Sequence, residues 1–477
     1  MTRKIITDRQ ILKGHTEIHP ALDFYNGKAI VAVGRPGLTT YEDKSNTCEQ
    51  YSICITSDGD FFILSIKEIL DRKLYYLKDL DLPSERWEIE DQEQFLEQLR
   101  NGNKTKFDFK KTHQEIRELF VELFDFQDEK LYDFFSCFII YTYFFPLFES
   151  APVVHLWGPA GSGKTKIMEM LGLMAFNPVT SGNITEASVF RLVEGRRAVC
   201  LLDESEDLSK TERGHAITNL ILNGYRRGNL IYRMDKVGKV IQSSHYDVYS
   251  PKVIANITGL DKEALLSRAI RVTTNSSRNA AKANKYTVEI KDKADAIRNK
   301  LYRACLTRFE DVRQAMGTMP GIGLVGRSAE IWQGVLSIAW LVNDKAWHNL
   351  SWLAIENSKS LERELLVSNP IWDLFSALLY MVDNIKPKFY SNNQIWNCIN
   401  KHAEGEFISK QQVTGLLKQQ GIPQRIKWID KKTTRGSVLN KEQLESKLSV
   451  LADFITPQKS HLKNSQSLHL LTDEGQK

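Results

Sequence analysis

Cysteine is scarce in this chain and never forms a C-x-x-C pair. The six cysteines (Cys48, Cys54, Cys137, Cys200, Cys305, Cys398) are scattered, and neither Cys48 nor Cys54 has a histidine or further cysteine close by. That spacing argues against a zinc site and suits reduced thiols in a cytoplasmic protein. The opening "MTRKIITDRQILKG" is not followed by the apolar stretch of a secretory signal. Long hydrophobic runs are lacking too. The most apolar segment, "FFSCFIIYTYFFPLF" at residues 134–148, carries Ser136, Thr142 and Pro146. It falls short of the ~20 apolar residues a spanning helix needs, so it reads as a buried helix under a sheet and no membrane is expected. Charge of one sign is also missing. The 64 basic and 59 acidic residues leave a net charge of only +5, so local clusters must decide whether nucleic acid is a partner. There is no internal repeat.

What is present is the composition of a globular chain, 42% hydrophobic and 26% charged, over 477 residues, enough for two to four domains. Residues 1–110 lean towards β-structure ("AIVAVG", "YSICITSDGDFFIL" with Asp58-Gly59 as a turn signal), followed by an amphipathic helix in "DQEQFLEQLRNG". No catalytic constellation marks this region. Residues 111–275 begin helical and then alternate strands and helices, the pattern of a parallel sheet flanked by helices. Helical periodicity dominates residues 276–384. A small mixed unit spans 385–455, and the polar tail at 456–477 reads as disordered.

The clearest chemistry lies in "VVHLWGPAGSGKTKIM" at residues 153–168. An apolar strand leads into G-x-x-x-x-G-K-[ST] and then a helix, the arrangement that wraps nucleotide phosphates. Gly158, Pro159, Ala160, Gly161, Ser162 and Gly163 form the loop, whose glycines let several N–H groups face the phosphates. Lys164 would set a charge on the β/γ-phosphates and Thr165 a hydroxyl on Mg²⁺. A second apolar strand, "AVCLLDESEDL", ends in Asp203-Glu204. Asp203 would hold Mg²⁺, and Glu204 would activate the attacking water. By itself such a strand end could equally be a solvated acidic loop. A third strand, "KVIANITG", places Asn256 where an amide can sense the γ-phosphate, or simply begin a turn. In "ALLSRAIRV", Arg268 follows the serine that ends a helix and could spread over phosphate oxygens, whereas Arg271 belongs to the next strand.

The order GPAGSGKT, LLDE, ANI and LLSR resembles AAA+ ATPases, and the serine-arginine after paired leucines is similar to the arginine-finger motif of minichromosome-maintenance helicases. With "LLDESEDLSK", "ILNGYRRGNLIYRMD" and "GRSAEIWQGVLSIA", residues 145–345 resemble the replication ATPases and helicases of phages and integrative mobile elements. The resemblance implies a P-loop AAA+ core, ATP and Mg²⁺ as cofactors, Walker A roles for Lys164 and Thr165 and Walker B roles for Asp203 and Glu204. It implies sensor 1 at Asn256, sensor 2 at Arg327 in a helical lid, and a finger at Arg268 that reaches the neighbouring subunit's site. A finger in trans implies a homo-oligomeric ring, with six subunits as the expectation. The motif departs from the minichromosome-maintenance pattern after the arginine, where Ala269-Ile270 stand in place of Phe-Asp.

Two basic elements point to DNA. The 53 residues from Asp203 to Asn256 hold a helix and two β-leaning runs that read as a hairpin around residues 236–239. Arg226, Arg227, Arg233, Lys236 and Lys239 there face a single acid, Asp235. The resemblance places such a hairpin in a ring's channel, on single-stranded or forked DNA, holding backbone rather than bases. The second element is "RIKWIDKKTTRGSVL", similar to the wing of a winged helix-turn-helix. Lys427, Lys431, Lys432 and Arg435 lie in it, and Trp428 is expected in its core. The reading is an ATP-driven DNA motor, a helicase for replication of a mobile element or phage. Its rivals are a protein-remodelling or phage-defence ATPase and an initiator without helicase activity. The interval between the Walker A helix and "RRAVCLLDE" has no aromatic–apolar–glycine pore loop of the kind unfoldases use.

Overall fold

The computed structural model describes residues 13–40, 46–76, 86–102, 107–180, 186–203, 211–237, 240–260, 262–277, 279–367, 370–384, 389–402, 409–429 and 432–447. They form two compact units, Met1–Asn357 and Ser358–Lys477.

At the centre of the first unit, the strand Val153–Trp157 is buried along its first four residues, as a strand with helices on both faces must be. It belongs to a five-stranded parallel sheet in the order Ala269–Thr273, Val153–Trp157, Lys252–Asn256, Cys200–Leu202, Val179–Thr180. Numbered along the chain, that is 5-1-4-3-2. Right-handed crossovers send the first connection over one face and the later ones over the other, so the topological switch lies beside Val153–Trp157. Ligands of open parallel sheets bind outside the carboxyl ends of the strands at such a switch, which is where the glycine-rich loop leaves this strand.

Helices cover the sheet. Lys130–Tyr141, inside the aromatic run, is buried from Tyr132 to Tyr141. Among the described residues no helix is long and apolar enough to cross a membrane. Helix Gly326–Val342 lies against it because Gly334 has no side chain, and a Cβ there would stand 2.2 Å from the Tyr141 ring. The N-terminal residues form an antiparallel sheet of Leu22–Tyr25, Lys28–Thr40, Asn46–Thr56 and Phe61–Ile63. Its alternating pattern serves two cores. Val31, Val33 and Ile55 join the large core shared with the helices and the parallel sheet, while Ile30, Ala32, Cys54 and Phe62 close a smaller one with Ile18, Ile69 and Leu74.

In the second unit the order is helix Pro370–Asn384, strand Tyr390–Ser391, helices Asn392–His402 and Lys410–Gln419, then strands Gln424–Ile429 and Lys432–Ser437. Serines begin both later helices. Ser409 and Gln412 form a reciprocal capping box, and Ser391 exchanges hydrogen bonds with Gln394 at 2.9 and 3.2 Å. Leu374, Phe375 and Leu378 of the first helix share a core with Ile395, Ile399, Val413 and Leu417. The three strands are antiparallel, with Lys432–Ser437 in the middle and Gln424–Ile429 at an edge.

Candidate active site

The loop after Trp157 is built by glycines with distinct duties. Gly161 and Gly163 have φ of 75° and 87°, which L side chains rarely adopt, and Gly163 caps the helix Lys164–Met174. Gly158 is needed for space, since a Cβ there would lie 2.3 Å from the Thr274 carbonyl oxygen. Thr274 braces the loop: its N–H donates to the Trp157 carbonyl at 2.8 Å, and its hydroxyl meets Ser162 Oγ at 2.7 Å. The Lys164 ammonium donates to the carbonyls of Gly158 and Pro159 at 2.7 and 2.9 Å, and so sits across the loop. Loop N–H groups and a helix start beside a lysine make an anion cradle.

Thr165 Oγ1 donates to Asp203 Oδ2 at 2.9 Å, although the two lie 38 residues apart. The parallel pairing of the strands brings that hydroxyl and carboxylate to one point beside the loop. They are hard oxygen donors, the set that suits Mg²⁺ shared with phosphate. Glu204 lies outside the described residues. Asn256, at the carboxyl end of the strand between these two, is buried. Its Oδ1 meets His155 Nε2 at 2.8 Å and its Nδ2 donates to the Gly259 carbonyl at 2.8 Å.

A cavity of about 300 Å³ adjoins the loop, lined by Gly161, Ser162, Lys166, Thr274, Asn275 and residues 123–128. Its wall carries the stacked rings of Phe124 and Phe126, 5.3 Å apart, and Lys282 Nζ fixes the Phe124 carbonyl at 3.0 Å. Sequence reasoning missed these residues. The only signal in the sequence is the alternation of rings and polar side chains in "FDFQD".

The arginines lie elsewhere. Arg268 precedes the strand Ala269–Thr273, and its carbonyl accepts from Val153 N–H at 3.3 Å, at the amino end of the P-loop strand. The loop leaves that strand five residues on, roughly 16 Å away at the usual strand rise. The Arg268 guanidinium lies over Tyr225, 4.5 Å from the ring centroid, and Arg327 lies 5.7 Å from the same ring. Arg327 Nη1 also donates to Ser267 Oγ at 2.6 Å, next to Arg268. Thus both arginines share one foot of the sheet, away from their own glycine loop. Burial, and then the like charge of Arg327, lower the proton affinity of Arg268. Its buried Nε has no hydrogen-bond partner among the described residues. The Arg268 Nη1 donates to the Ala264 carbonyl, and two cations crowded together favour an incoming anion. Arg271, by contrast, lies within its strand, 5.0 Å from the Trp157 ring.

The foot is rooted by Lys252, buried beneath it. Its Nζ donates to the carbonyls of Gly224, Val248 and Ser250 at 2.9, 3.0 and 2.7 Å, and burial pushes its pKa down to about 8. Arg226 and Arg227 follow Tyr225 here rather than in the hairpin. Arg226 is exposed, whereas Arg227 faces buried Asp23 at 3.7 Å, as does Arg197.

The hairpin pairs Leu230–Val237 with Val240–Asp247, from Leu230↔Asp247 to Val237↔Val240. Lys236 stands in its first strand opposite Ile241, and Lys239 lies outside the described residues. Arg233 is turned inward, 5.0 Å from the Phe190 ring. In the second unit Lys427 Nζ lies 5.1 Å from the Phe389 ring, Lys432 and Arg435 are exposed, and Lys431 lies outside the described residues. Trp428 corrects the expectation of a core residue, being 73% exposed. It points away from the Lys427 side of the strand, and its cross-strand neighbour Thr433 is too small to cover it.

No family model matches the chain, and no curated relative matches it. Among solved structures, the C-terminal region of NrS-1 is 12% identical, with 69% of this chain and 75% of that one covered and a TM-score of 0.31. Drosophila ORC bound to DNA is 12% identical over 78% and 95%, with a TM-score of 0.22. Cdc6p from Pyrobaculum aerophilum is 14% identical over 73% and 93%, with a TM-score of 0.15. Likenesses this slight carry neither fold nor function, which rest on the geometry above.

Proposed function

We propose that this chain is an ATP-hydrolysing DNA motor of the AAA+ kind, a cytoplasmic ring of identical subunits that acts as a helicase in replication of a mobile element or phage. The observation that carries the reading is the separation of the two halves of the chemistry. Lys164, Thr165 and Asp203 gather at the carboxyl end of the sheet, and Arg268 and Arg327 gather at its amino end. Among the described residues, one copy therefore has a phosphate cradle at one end of the sheet and an arginine pair at the other. Two copies, foot to cradle, make a complete site, and a heterologous contact of this kind, repeated with a rotation that closes, gives the proposed ring.

In such a site the loop N–H groups and Lys164 bind the phosphates, and the base is seated in the cavity beside Phe124 and Phe126. Thr165 and Asp203 would hold Mg²⁺, which when bound offsets charge on the β/γ-phosphates. Glu204 takes a proton from the attacking water. Asn256, fixed by His155 and Gly259, orients the γ-phosphate side. Arg268 of the adjacent subunit stabilises charge that grows in the transition state, with Arg327 beside it in the same foot rather than over its own loop. On the DNA side, Lys236 and Lys239 are the contacts proposed for the moving hairpin, with exposed Arg226 and Arg227 preceding it, Arg227 tied to Asp23, and with Arg233 set against Phe190. The second unit has the element order of a winged helix, with Lys427, Lys431, Lys432 and Arg435 as its backbone contacts.

ATPase activity measured with and without single-stranded DNA, beside displacement of one strand of a forked duplex, tests the reading. Lys164→Ala should lose nucleotide binding. Glu204→Gln should still bind ATP and stall before hydrolysis, because lysine balances ground-state charge whereas the glutamate acts on water. Near-normal turnover of Glu204→Gln would remove the base assigned here. DNA-stimulated hydrolysis without strand displacement would turn the reading into that of an initiator.

A further inference from the structure

We propose that the second unit holds unpaired nucleobases, not only phosphates, by stacking them on Trp428. This rests on the reading that the unit handles DNA. Trp428 and Ile426 lie two residues apart on the edge strand Gln424–Ile429 and so on one face of it, 73% and 61% exposed. An isolated exposed apolar side chain is ordinary, but an indole and an isoleucine side by side on one face form a patch. Water is a poor neighbour for that surface, and its cross-strand neighbours are Thr433 opposite Trp428 and Arg435 opposite Ile426.

Charge selects the occupant. Between Gly405 and Gly436 seven basic residues stand against two acids. On these two strands Arg435 shares the patch face, directly opposite Ile426, while exposed Arg425, Lys427 and Lys432 project from the other face and border the patch along the edge. A polyanion with flat apolar faces complements such a strip. Duplex DNA offers phosphates but keeps its base faces covered by stacking, so the fitting polyanion is a single strand. The edge strand is paired along its length with Lys432–Ser437, which in turn packs closely on Tyr390–Ser391, since a Cβ at Gly436 would stand 2.2 Å from the Tyr390 carbonyl oxygen. Basic residues on an edge strand also discourage strand-to-strand aggregation, which accounts for the charges but leaves the tryptophan unexplained.

Stacking and charge differ in their response to salt, and the test uses that. The full chain is titrated with a fluorescent single-stranded oligonucleotide over a range of salt concentrations, without ATP. Trp428→Ala should bind about fivefold or more weakly, as expected when one stacking partner is removed, with the log–log salt slope unchanged. Trp428→Phe should recover most of that affinity, and basal ATPase should be untouched in both. Lys432→Ala/Arg435→Ala should instead lower the slope by about 0.7 for each phosphate of the single strand that is no longer neutralised. Wild-type affinity of Trp428→Ala beside a lowered slope in the charge variant would overturn the stacking proposal and leave the DNA reading standing. Unchanged binding in both variants would overturn both. A change in subunit association of Trp428→Ala, with oligonucleotide affinity intact, would assign the patch to a second copy and overturn the proposal as well.

Discussion

Arg268 and Arg327 would repel each other in isolation, and Tyr225 makes their closeness tolerable by offering one ring to both guanidinium groups. Such an arrangement is poised for an anion, which is why the pair reads as half of an active site. A second buried group gives a pH prediction. His113 lies beside Asp133, 3.4 Å away, and Asp133 is also bound by Arg117 at 3.1 Å and Asn349 at 2.6 Å. Burial, with help from Arg117 and against the pull of Asp133, pushes the His113 pKa down to about 4. The unfolded value is ~6.5, so between these limits the unfolded chain binds the extra proton. Stability should be complete above pH 6.5 and fall as the pH drops towards 4, by up to roughly 3 kcal/mol from this group. Urea titrations should show a shallower decline over that window in His113→Gln than in the parent, and identical slopes would mean that His113 titrates alike in both states. At this scale the sequence was legible in placing Lys164, Thr165 and Asp203 together at the glycine loop, where strand ends and glycine spacing fix position. It was not legible at Trp428 or Arg327, because the exposure of a tryptophan and the direction of a long side chain depend on what stands across the strand or at the foot of the sheet.

Elements were legible where period and punctuation agree. The hairpin around residues 236–239, the buried helix Lys130–Tyr141 and the turn at Gly59 with φ of 83° follow from alternation, apolar run and glycine placement. The cavity beside the loop was not, since residues 123–128 and 273–277 are far apart in the chain and meet only once it is folded, where Asn275 Nδ2 donates to Gln127 Oε1 at 3.3 Å and Ser277 Oγ to Asp125 Oδ2 at 3.4 Å. The N-terminal sheet likewise gives no hint in its sequence that Val31, Val33 and Ile55 pack into the core of the next region. The hairpin carries the prediction of this scale. If it grips backbone during translocation, Lys236→Ala/Lys239→Ala should abolish unwinding of a forked duplex while basal ATPase and most duplex binding persist. A motor contact is remade at each step, whereas an anchoring contact in the second unit sets affinity and salt slope. Normal unwinding by the hairpin variant would remove it from the DNA path and favour a protein-remodelling ATPase.

For the whole molecule, the central claim is that cradle and arginine foot, a strand's length apart, are joined between copies, which under the proposed function makes the active unit an assembly. The most direct measurement mixes two inactive variants, Arg268→Ala and Lys164→Ala, at varied ratios and follows ATP hydrolysis, with mixed assembly confirmed by differently labelled subunits. Each variant alone should hydrolyse ATP poorly. In the mixture an intact cradle from Arg268→Ala meets an intact foot from Lys164→Ala, so activity should rise and peak at intermediate ratios. Mixed assemblies with no recovery at any ratio, or full activity of Arg268→Ala alone, would contradict a site shared between subunits.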